Sequence, residues 1–171
     1  MKGFTTRVAQ PSDDASVSAL LKVSYSMLLA RDYSPEILDL ALPLMCRANS
    51  DLLTSGTYYV TENRDGHIVA CGGWALNRPG PADSPDDVRE GLAHIRHVAT
   101  HPAWTRRGIG RALVERCKTE ARNCAISRFE CYSSLSARSF YAALDFRACG
   151  SIDIVLGDGC LFPSVVMECA L

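Results

Sequence analysis

The segment THPAWTRRGIGRAL, residues 100–113, decides how this sequence folds. It follows the strand-like run HIRHVAT at 94–100, and an amphipathic helical pattern begins directly after its glycines. The polar centre of the segment contains three arginines and two glycines: Arg106, Arg107, Gly108, Gly110 and Arg111. Backbone N–H groups at a helix N-terminus lack intrahelical acceptors and carry partial positive charge, and glycine lets a bulky anion approach them. The segment therefore predicts a cradle for a phosphate group.

The cradle lacks the signatures of two common phosphate-binding loops. A P-loop requires Gly-Lys-Ser/Thr, whereas Gly110 is followed by Arg111 and Ala112. A dinucleotide-binding fingerprint requires a third glycine where Leu113 stands, although Glu130 lies at the spacing of a ribose-binding acid. A plain loop capped by glycines is the simplest alternative. The elements on either side of the segment are needed to choose among these interpretations.

Composition indicates one soluble globular domain. The chain has 171 residues with 47% hydrophobic and 22% charged residues, and its net charge of -1 gives no general reason to expect nucleic acid as a partner. No run reaches the roughly 18 apolar residues of a membrane span, and the start, MKGFTTRVAQ, lacks the apolar core of a signal peptide. None of the eight cysteines forms a C-x-x-C pair. We therefore expect a cytoplasmic protein with reduced, mostly buried cysteines and no metal site.

The order of predicted elements is β-α-α-β-β-β-α-β-α-β-β. The strand TTRVAQ precedes two helices, and the second should bend or break at Pro43 because an interior proline removes a helical hydrogen bond. A tight turn at 64–66 joins two strands in a hairpin. The helix that begins at Gly108 carries Cys117 and Cys124 on its apolar face. The pattern predicts a single mixed α/β (α+β) domain over residues 1–171.

Two motifs in this order resemble those of the GNAT superfamily, the GCN5-related N-acetyltransferases. The acetyl-CoA motif of that family, [Q/R]-x-x-G-x-[G/A], is matched at 106–110, with Thr105 where Gln or Arg is typical. The downstream pattern N-x-x-A-x-x-F-Y-x-x-x-G-F is matched by SLSARSFYAALDF, with Ser134 for the Asn and Asp145 for the Gly. The resemblance covers nearly the whole chain. It implies a GNAT-like fold with a mostly antiparallel central sheet, a splayed parallel pair of strands and about four flanking helices.

The resemblance also implies an activity and a coenzyme site. A family member transfers acetyl from acetyl-CoA directly to an amine, here the primary amine of a small molecule or peptide, without a metal. The splayed strand would bind the pantetheine arm and the glycine turn would bind the pyrophosphate. The implied coenzyme-binding residues are Val98, Ala99, Thr100, Thr105, Arg106, Arg107, Gly108, Ile109, Gly110, Arg111 and Ser134.

His94 and Tyr141 are the catalytic candidates. In family members with a general-base glutamate on this strand, that residue lies fourteen positions before the first motif glycine, where this chain has His94. A neutral imidazole can accept a proton from an ammonium group, so His94 could act as the base. In the alternative interpretation His94 has no catalytic role and merely pairs with an acid of the preceding loop, such as Glu90. Tyr141 takes the position of the tyrosine that protonates the departing thiolate, and its alternative role is core packing beside Phe140.

The remaining candidates are weaker. Strand alternation places His97 on the face opposite His94, and His101 belongs to the turn. Cys131 could suggest a covalent acyl-cysteine route, but no base is identifiable for it.

The acceptor site should involve residues from about Met27 to Cys46 and the loop near Asp158. In that region Asp32 and Glu36 could attract a cationic amine, although solvated surface acids are the simpler interpretation.

Other functions stay open at the level of sequence. A non-catalytic acyl-CoA-binding module, or a transferase that uses a longer acyl-CoA, would show the same cradle. We expect neither nucleic acid nor membrane as a partner, and a homodimer is possible because dimers are common in the family.

Overall fold

The computed structural model describes residues 3–79, 88–157 and 159–171. In these ranges the chain forms seven strands and five helices. Their bounds are β1 Phe4–Val8, α1 Asp14–Leu28, α2 Pro35–Met45, α3 Ser50–Thr54, β2 Tyr58–Asn63, β3 Ile68–Ala75, β4 Leu92–Thr100, α4 Ile109–Asn123, β5 Arg128–Ser134, α5 Arg138–Ala142, β6 Arg147–Leu156 and β7 Cys160–Ala170. The predicted mixed α/β fold is confirmed. The observed order differs from the predicted one by the short α3.

The strands form a single sheet in the order β1-β2-β3-β4-β5-β7-β6. All neighbours run antiparallel except β4 and β5, which are parallel. The parallel pair is in register only from Leu92 with Arg128 to His94 with Glu130. Beyond these three pairs the two strands continue separately, so the sheet opens in the middle.

Helices cover both faces of the sheet. The apolar stripe of α4, including Leu113, Val114 and Cys117, packs on one face together with Tyr59 of β2. On the other face, α1 and α3 pack against Tyr58 of β2, Cys71 of β3 and Ala99 of β4. Adjacent residues of β2 therefore enter opposite cores, as strand geometry requires. A third cluster joins α2 to β7.

A β-bulge interrupts β4 beside the opening in the sheet. Cys71 of β3 pairs with Ala99 and Gly73 pairs with Arg96, so two residues of β4, His97 and Val98, lie opposite one of β3. His97 adopts a φ of +47°, which is uncommon for a residue with a side chain. The extra residue reverses the alternation beyond it, and Ala99 consequently packs on the α1 side of the sheet.

Several local expectations are settled by these elements. The hairpin turn at 64–66 is confirmed, with the Asn63 N–H donating to the His67 carbonyl at 2.9 Å. The expected break at Pro43 is wrong, because α2 continues through Pro43 to Met45. The proline leaves only one helical bond unmade, the one that its N–H would donate to the Asp39 carbonyl. Cys124 does not lie on the buried face of α4. It follows the helix as an exposed cap.

The cysteines are all free thiols, and five of the eight are buried. Among the described residues, no group of three or more His, Cys, Asp or Glu side chains is placed to hold a metal ion. No helix within the described ranges combines the length and the apolar character needed to cross a membrane.

Candidate active site

A cavity of about 440 Å³ occupies the opening between β4 and β5. Its walls are the two diverging arms, residues 95–98 of β4 and 131–134 of β5. Side chains of α1, the α2–α3 connection and residues 154–157 line it on one side of the sheet, and Ala137 and Tyr141 line it on the other. The cavity can therefore be reached from both faces of the sheet, as a site for two reactants requires.

Tyr141 is buried at the inner end of this cavity. Its ring is held edge-on between Phe140, at 5.1 Å between centroids, and Phe146, at 5.3 Å. Burial raises the pKa of the Tyr141 hydroxyl well above its usual value. A phenol in this state retains its proton at neutral pH and can donate it or a hydrogen bond.

The glycine turn follows the outer end of β4. Gly108 is the N-cap of α4 with a φ of +78°, and no atom lies within 4 Å of the position where its Cβ would be. The first helical bond is donated by Ala112 to the Gly108 carbonyl at 2.9 Å. At Gly110 the Phe140 ring lies 3.1 Å from a would-be Cβ. The first glycine leaves open space before the N-terminal amides, and the second lets α4 approach the element that carries Tyr141.

The three arginines of the turn have different environments. Arg107 lies over the Trp104 ring, with its guanidinium carbon 4.7 Å from the centroid, and Arg111 donates to the Ala143 carbonyl at 2.9 Å. Arg106 is exposed and has a φ of +62°. The side chains of Arg107 and Arg111 are thus held in place by contacts within the protein, and all three arginines add positive charge at the turn.

Of the other predicted coenzyme-binding residues, Ile109 is buried in the α4 core, so its side chain does not face the space in front of the turn. The rest lie on β4, in the turn or in the cavity lining. Val98 lines the cavity, whereas Ala99 and Thr100 complete β4 toward the turn. The Thr105 hydroxyl donates to the Pro102 carbonyl at 2.9 Å and so fixes the turn. Ser134 lines the cavity, and its hydroxyl accepts a bond from the Ala137 N–H at 3.2 Å.

His94 lies at the point where β4 and β5 separate. Its Nδ1 is 3.4 Å from the Glu130 carboxylate, so its acidic partner is the parallel neighbour and not Glu90. His94 is buried and lies outside the set of described residues that line the cavity. His97, expected on the face opposite His94, does line the cavity and lies within the bulge. Burial lowers the pKa of His97 to about 4, so its ring is neutral at pH 7.

Cys131 also lines the cavity, on the β5 arm. Burial, with a smaller contribution from Glu130, raises the pKa of its thiol well above the ordinary value. The thiol therefore keeps its proton near neutral pH, which does not favour an acyl-cysteine route.

The predicted acceptor region contributes Leu29, Leu44 and Met45 to the cavity. Residues 154–157 lie beside it, whereas Asp158 itself falls outside the described residues. Asp32 and Glu36 are exposed and do not line it. Sequence reasoning missed several polar lining residues that come from distant segments: Tyr25, Arg47, Asn49, Arg96 and Tyr132.

Comparison with known proteins decides the family. Residues 49–169 match the model of the acetyltransferase (GNAT) domain. The chain belongs to the GNAT acetyltransferase family. A search of curated proteins gave no significant match.

Solved GNAT structures have the same fold. A GCN5-related N-acetyltransferase from Rhodopseudomonas palustris has a TM-score of 0.80 at 21% identity, covering 100% of this chain and 98% of its own. The PaiA N-acetyltransferase of Thermoplasma acidophilum, solved with coenzyme A, has a TM-score of 0.72 at 14% identity, covering 98% and 99%. The ribosomal-protein-S18-alanine N-acetyltransferase of Escherichia coli has a TM-score of 0.64 at 14% identity, covering 98% and 93%. At these identities the likeness establishes the GNAT fold alone.

Proposed function

We propose that residues 1–171 form one acetyl-CoA-dependent N-acetyltransferase domain that transfers acetyl to the primary amine of a small molecule or peptide. The observation that carries the proposal is the cavity in the opening between β4 and β5, which is lined by Tyr141 and by the β4 arm that leads on to the glycine turn. Membership of the GNAT family and the coenzyme A complex of a structural neighbour support it. A cytoplasmic location and a homodimeric state stay predictions.

The residues present fit the coenzyme. In the described structure, β4 has no strand partner on its β5 side beyond His94, so its backbone can bind the amides of a pantetheine arm. The open space at Gly108 and the N-terminal amides of α4 suit a pyrophosphate. Arg106, Arg107 and Arg111 supply charge, and the anchoring of the last two reduces the ordering cost on binding.

The reaction is a direct displacement at the thioester. The acceptor nitrogen attacks the carbonyl carbon, a C–N bond forms, and the C–S bond breaks from a tetrahedral intermediate. A backbone N–H of β4 near Val98 would stabilise the oxyanion, since His97 and Val98 lie in the bulge and line the cavity. The nitrogen loses a proton and the departing thiolate gains one, so both a proton acceptor and a donor are needed.

We assign the donor role to Tyr141 and the acceptor role to His94. The Tyr141 hydroxyl retains its proton and lines the cavity, as a donor to a thiolate must. His94 does not line the cavity, so its proton must arrive through water or through Glu130, which contacts both His94 and Tyr132. The pairing with Glu130 would stabilise the imidazolium that results.

Release of free thiol from acetyl-CoA across a panel of amines tests the proposal. The panel spans polyamines, aminoglycosides, amino acids and peptide N-termini, assayed with the native protein and Tyr141→Phe. We expect amine-dependent release that falls by about 10²-fold or more in the variant. Tyr59→Phe is the matched control, because Tyr59 is also a buried tyrosine of the α4 core but does not line the cavity.

The alternative functions make different forecasts for the same assay. A non-catalytic acyl-CoA-binding module would bind acetyl-CoA tightly, with or without the Tyr141 hydroxyl, and release no thiol with any amine. A transferase of longer acyl groups would turn over only when the acyl donor is changed. Absence of acetyl-CoA binding would contradict the role of the glycine turn.

A further inference from the structure

The lining of the cavity includes two arginines, which make it positively charged. Arg47 extends from the connection between α2 and α3, and Arg96 extends from β4. A guanidinium stays protonated in any protein environment, so both charges persist. Among the described residues that line the cavity, none carries a carboxylate.

Arg96 is a buried part of this wall. The residue is only 7% exposed, and its Nη1 donates to the Asn77 carbonyl at 3.1 Å. A buried charge acts through a lower effective dielectric than a surface charge, so its effect on a bound molecule is larger. Arg78 adds a third positive charge close by, where it interacts with the Tyr132 hydroxyl.

The acid of β5 that pairs with His94, Glu130, lies outside the lining and interacts with other cations. The Glu130 carboxylate contacts His94 at 3.4 Å, and the charges of Arg89 and Arg128 also act on it. Asp32 and Glu36, the acids that the sequence offered for a cationic amine, lie outside the lining.

The location of the wall separates it from the proposed pyrophosphate site. Arg96 lies two residues beyond the last β4–β5 pair, whereas the glycine turn begins only after Thr100. Four residues of strand span about 13 Å, and Gly108 lies further along the chain. An anion near Arg96 and Arg47 would therefore belong to the acceptor and not to the coenzyme.

We infer that the acceptor amine also carries a carboxylate, and that Arg47 together with Arg96 binds this carboxylate on the α1 side of the cavity. The inference rests on the proposed transferase function and narrows its substrate class. It disfavours polyamines and aminoglycosides, whose additional positive charges would lie against the arginines. The cavity of about 440 Å³ must also hold the acyl end of the donor, which favours an acceptor of amino-acid size.

Matched pairs of amines with and without a carboxylate test the inference. Histidine and histamine, lysine and cadaverine, and tyrosine and tyramine are compared at saturating acetyl-CoA. We expect the carboxylated member of at least one pair to have a kcat/KM at least about tenfold higher, the effect of one charge-assisted hydrogen bond. Equal or better use of the decarboxylated members throughout would overturn the inference.

The variant Arg47→Gln tests whether the preference for carboxylated amines comes from the arginines of the cavity lining. Since Arg47 is exposed to water, we expect KM for the carboxylated acceptor to rise about 5- to 10-fold, with KM for acetyl-CoA unchanged. Arg31→Gln is the control, because Arg31 is exposed and does not line the cavity. A rise confined to KM for acetyl-CoA would assign Arg47 to the coenzyme and contradict the inference.

A binding measurement separates this inference from the proposed function. If no amine supports thiol release, the transferase proposal fails, and ligand-observed NMR with the coenzyme A complex still tests the wall. N-acetylhistidine and N-acetylhistamine are the probes. Selective binding of the acid that is lost in Arg47→Gln would support the carboxylate subsite, and equal binding would overturn it.

Discussion

Cys131 is the residue at which the route of acetyl transfer can be tested. Its thiol lines the cavity, but burial raises its pKa and keeps it protonated at neutral pH. We expect Cys131→Ala to retain amine-dependent thiol release and to lose about 1–2 kcal/mol of unfolding free energy from the small void. Steady-state kinetics and urea denaturation measure the two quantities.

Cys117→Ala is the matched control, because Cys117 is equally buried in the α4 core and does not line the cavity. Both variants should lose similar stability. Loss of turnover in Cys131→Ala alone, together with an acetyl thioester found on Cys131 of the native protein by mass spectrometry, would establish the covalent route instead.

At this scale the sequence predicted the residues that belong to local motifs. The glycine turn could be identified from its own residues, and Tyr141 from the resemblance of the segment 134–146 to the family pattern. The contact of His94 with Glu130 depends on the register of two parallel strands joined by a helix, which no local pattern encodes. Tyr25 and Arg47 come to the cavity from distant elements for the same reason.

At the scale of elements, α4 holds α5 in place through its side chains. Lys118 is buried, and its Nζ donates to the Leu144 carbonyl at 2.8 Å, just beyond the end of α5. We expect Lys118→Met to lower the unfolding free energy by about 1–3 kcal/mol, because the carbonyl loses its charged donor. Since α5 carries Tyr141, we also expect kcat to fall about 10- to 100-fold through misplacement of the hydroxyl.

The readout of this variant separates positioning from simple stability. KM for acetyl-CoA should change little, and Arg122→Met, an exposed substitution on the same helix, should change neither kcat nor stability. A destabilised Lys118→Met protein with unchanged kcat at low temperature would make Lys118 a structural residue only.

The link between β1 and α1 depends on pH through Asp13. Arg7 donates to its two carboxylate oxygens at 2.8 and 2.9 Å, and these bonds hold the pKa of Asp13 below its ordinary value of 3.8. A lowered pKa in the folded state stabilises the protein above pH 3.8, and this stabilisation is lost as the pH falls through the folded pKa. We therefore expect Asp13→Asn to cost about 1–3 kcal/mol at pH 7, and the difference from the native protein to shrink below about pH 4.

Urea denaturation at pH 7, 5 and 3.5 measures this dependence. Asp14→Asn provides the control, since Asp14 lies next to Asp13 in the first turn of α1 but is exposed. A stability difference for Asp13→Asn that stays constant over this range would show that the ion pair is not its source.

Elements with a long hydrophobic period were predictable and short irregular ones were not. The five residues of α3 are too few to display a helical period, although Asn49 caps them with bonds to Asp51 and Leu52. The helix α2 continues through Pro43 with the loss of a single backbone hydrogen bond, so the proline alone did not mark where the helix ends. The bulge in β4 arises from pairing with β3, and therefore has no signal in β4 alone.

At the scale of the whole molecule, three residue pairs join β4 to β5, and the cavity begins where they end. A coenzyme bound there would bridge the two arms of the sheet. We expect acetyl-CoA to slow amide hydrogen exchange in residues 95–100 and 131–134 and at the start of α4. At 100 times Kd it should add about 2.7 kcal/mol of stability, which raises Tm by about 5–10 °C.

Hydrogen exchange followed by mass spectrometry, with and without acetyl-CoA, checks this pattern. Strands β1 and β2 are the internal control, since they lie away from the opening. Protection restricted to those strands, or a Tm that acetyl-CoA does not raise, would contradict the proposed site. The resemblance to the family predicted the splayed parallel pair, whereas the order of the seven strands depends on long-range pairing and was not predicted.

The bulge in β4 also determines which side of the sheet the residues that follow it face. His97 and Val98 together occupy the position opposite the single residue Gly72 of β3, and the pairing with β3 resumes at Ala99. Without the bulge, Ala99 and Thr100 would each face the opposite side of the sheet, and the Thr100 hydroxyl would no longer lie beside Gly110. One additional residue in a central strand therefore determines which core Ala99 enters and which helix Thr100 faces.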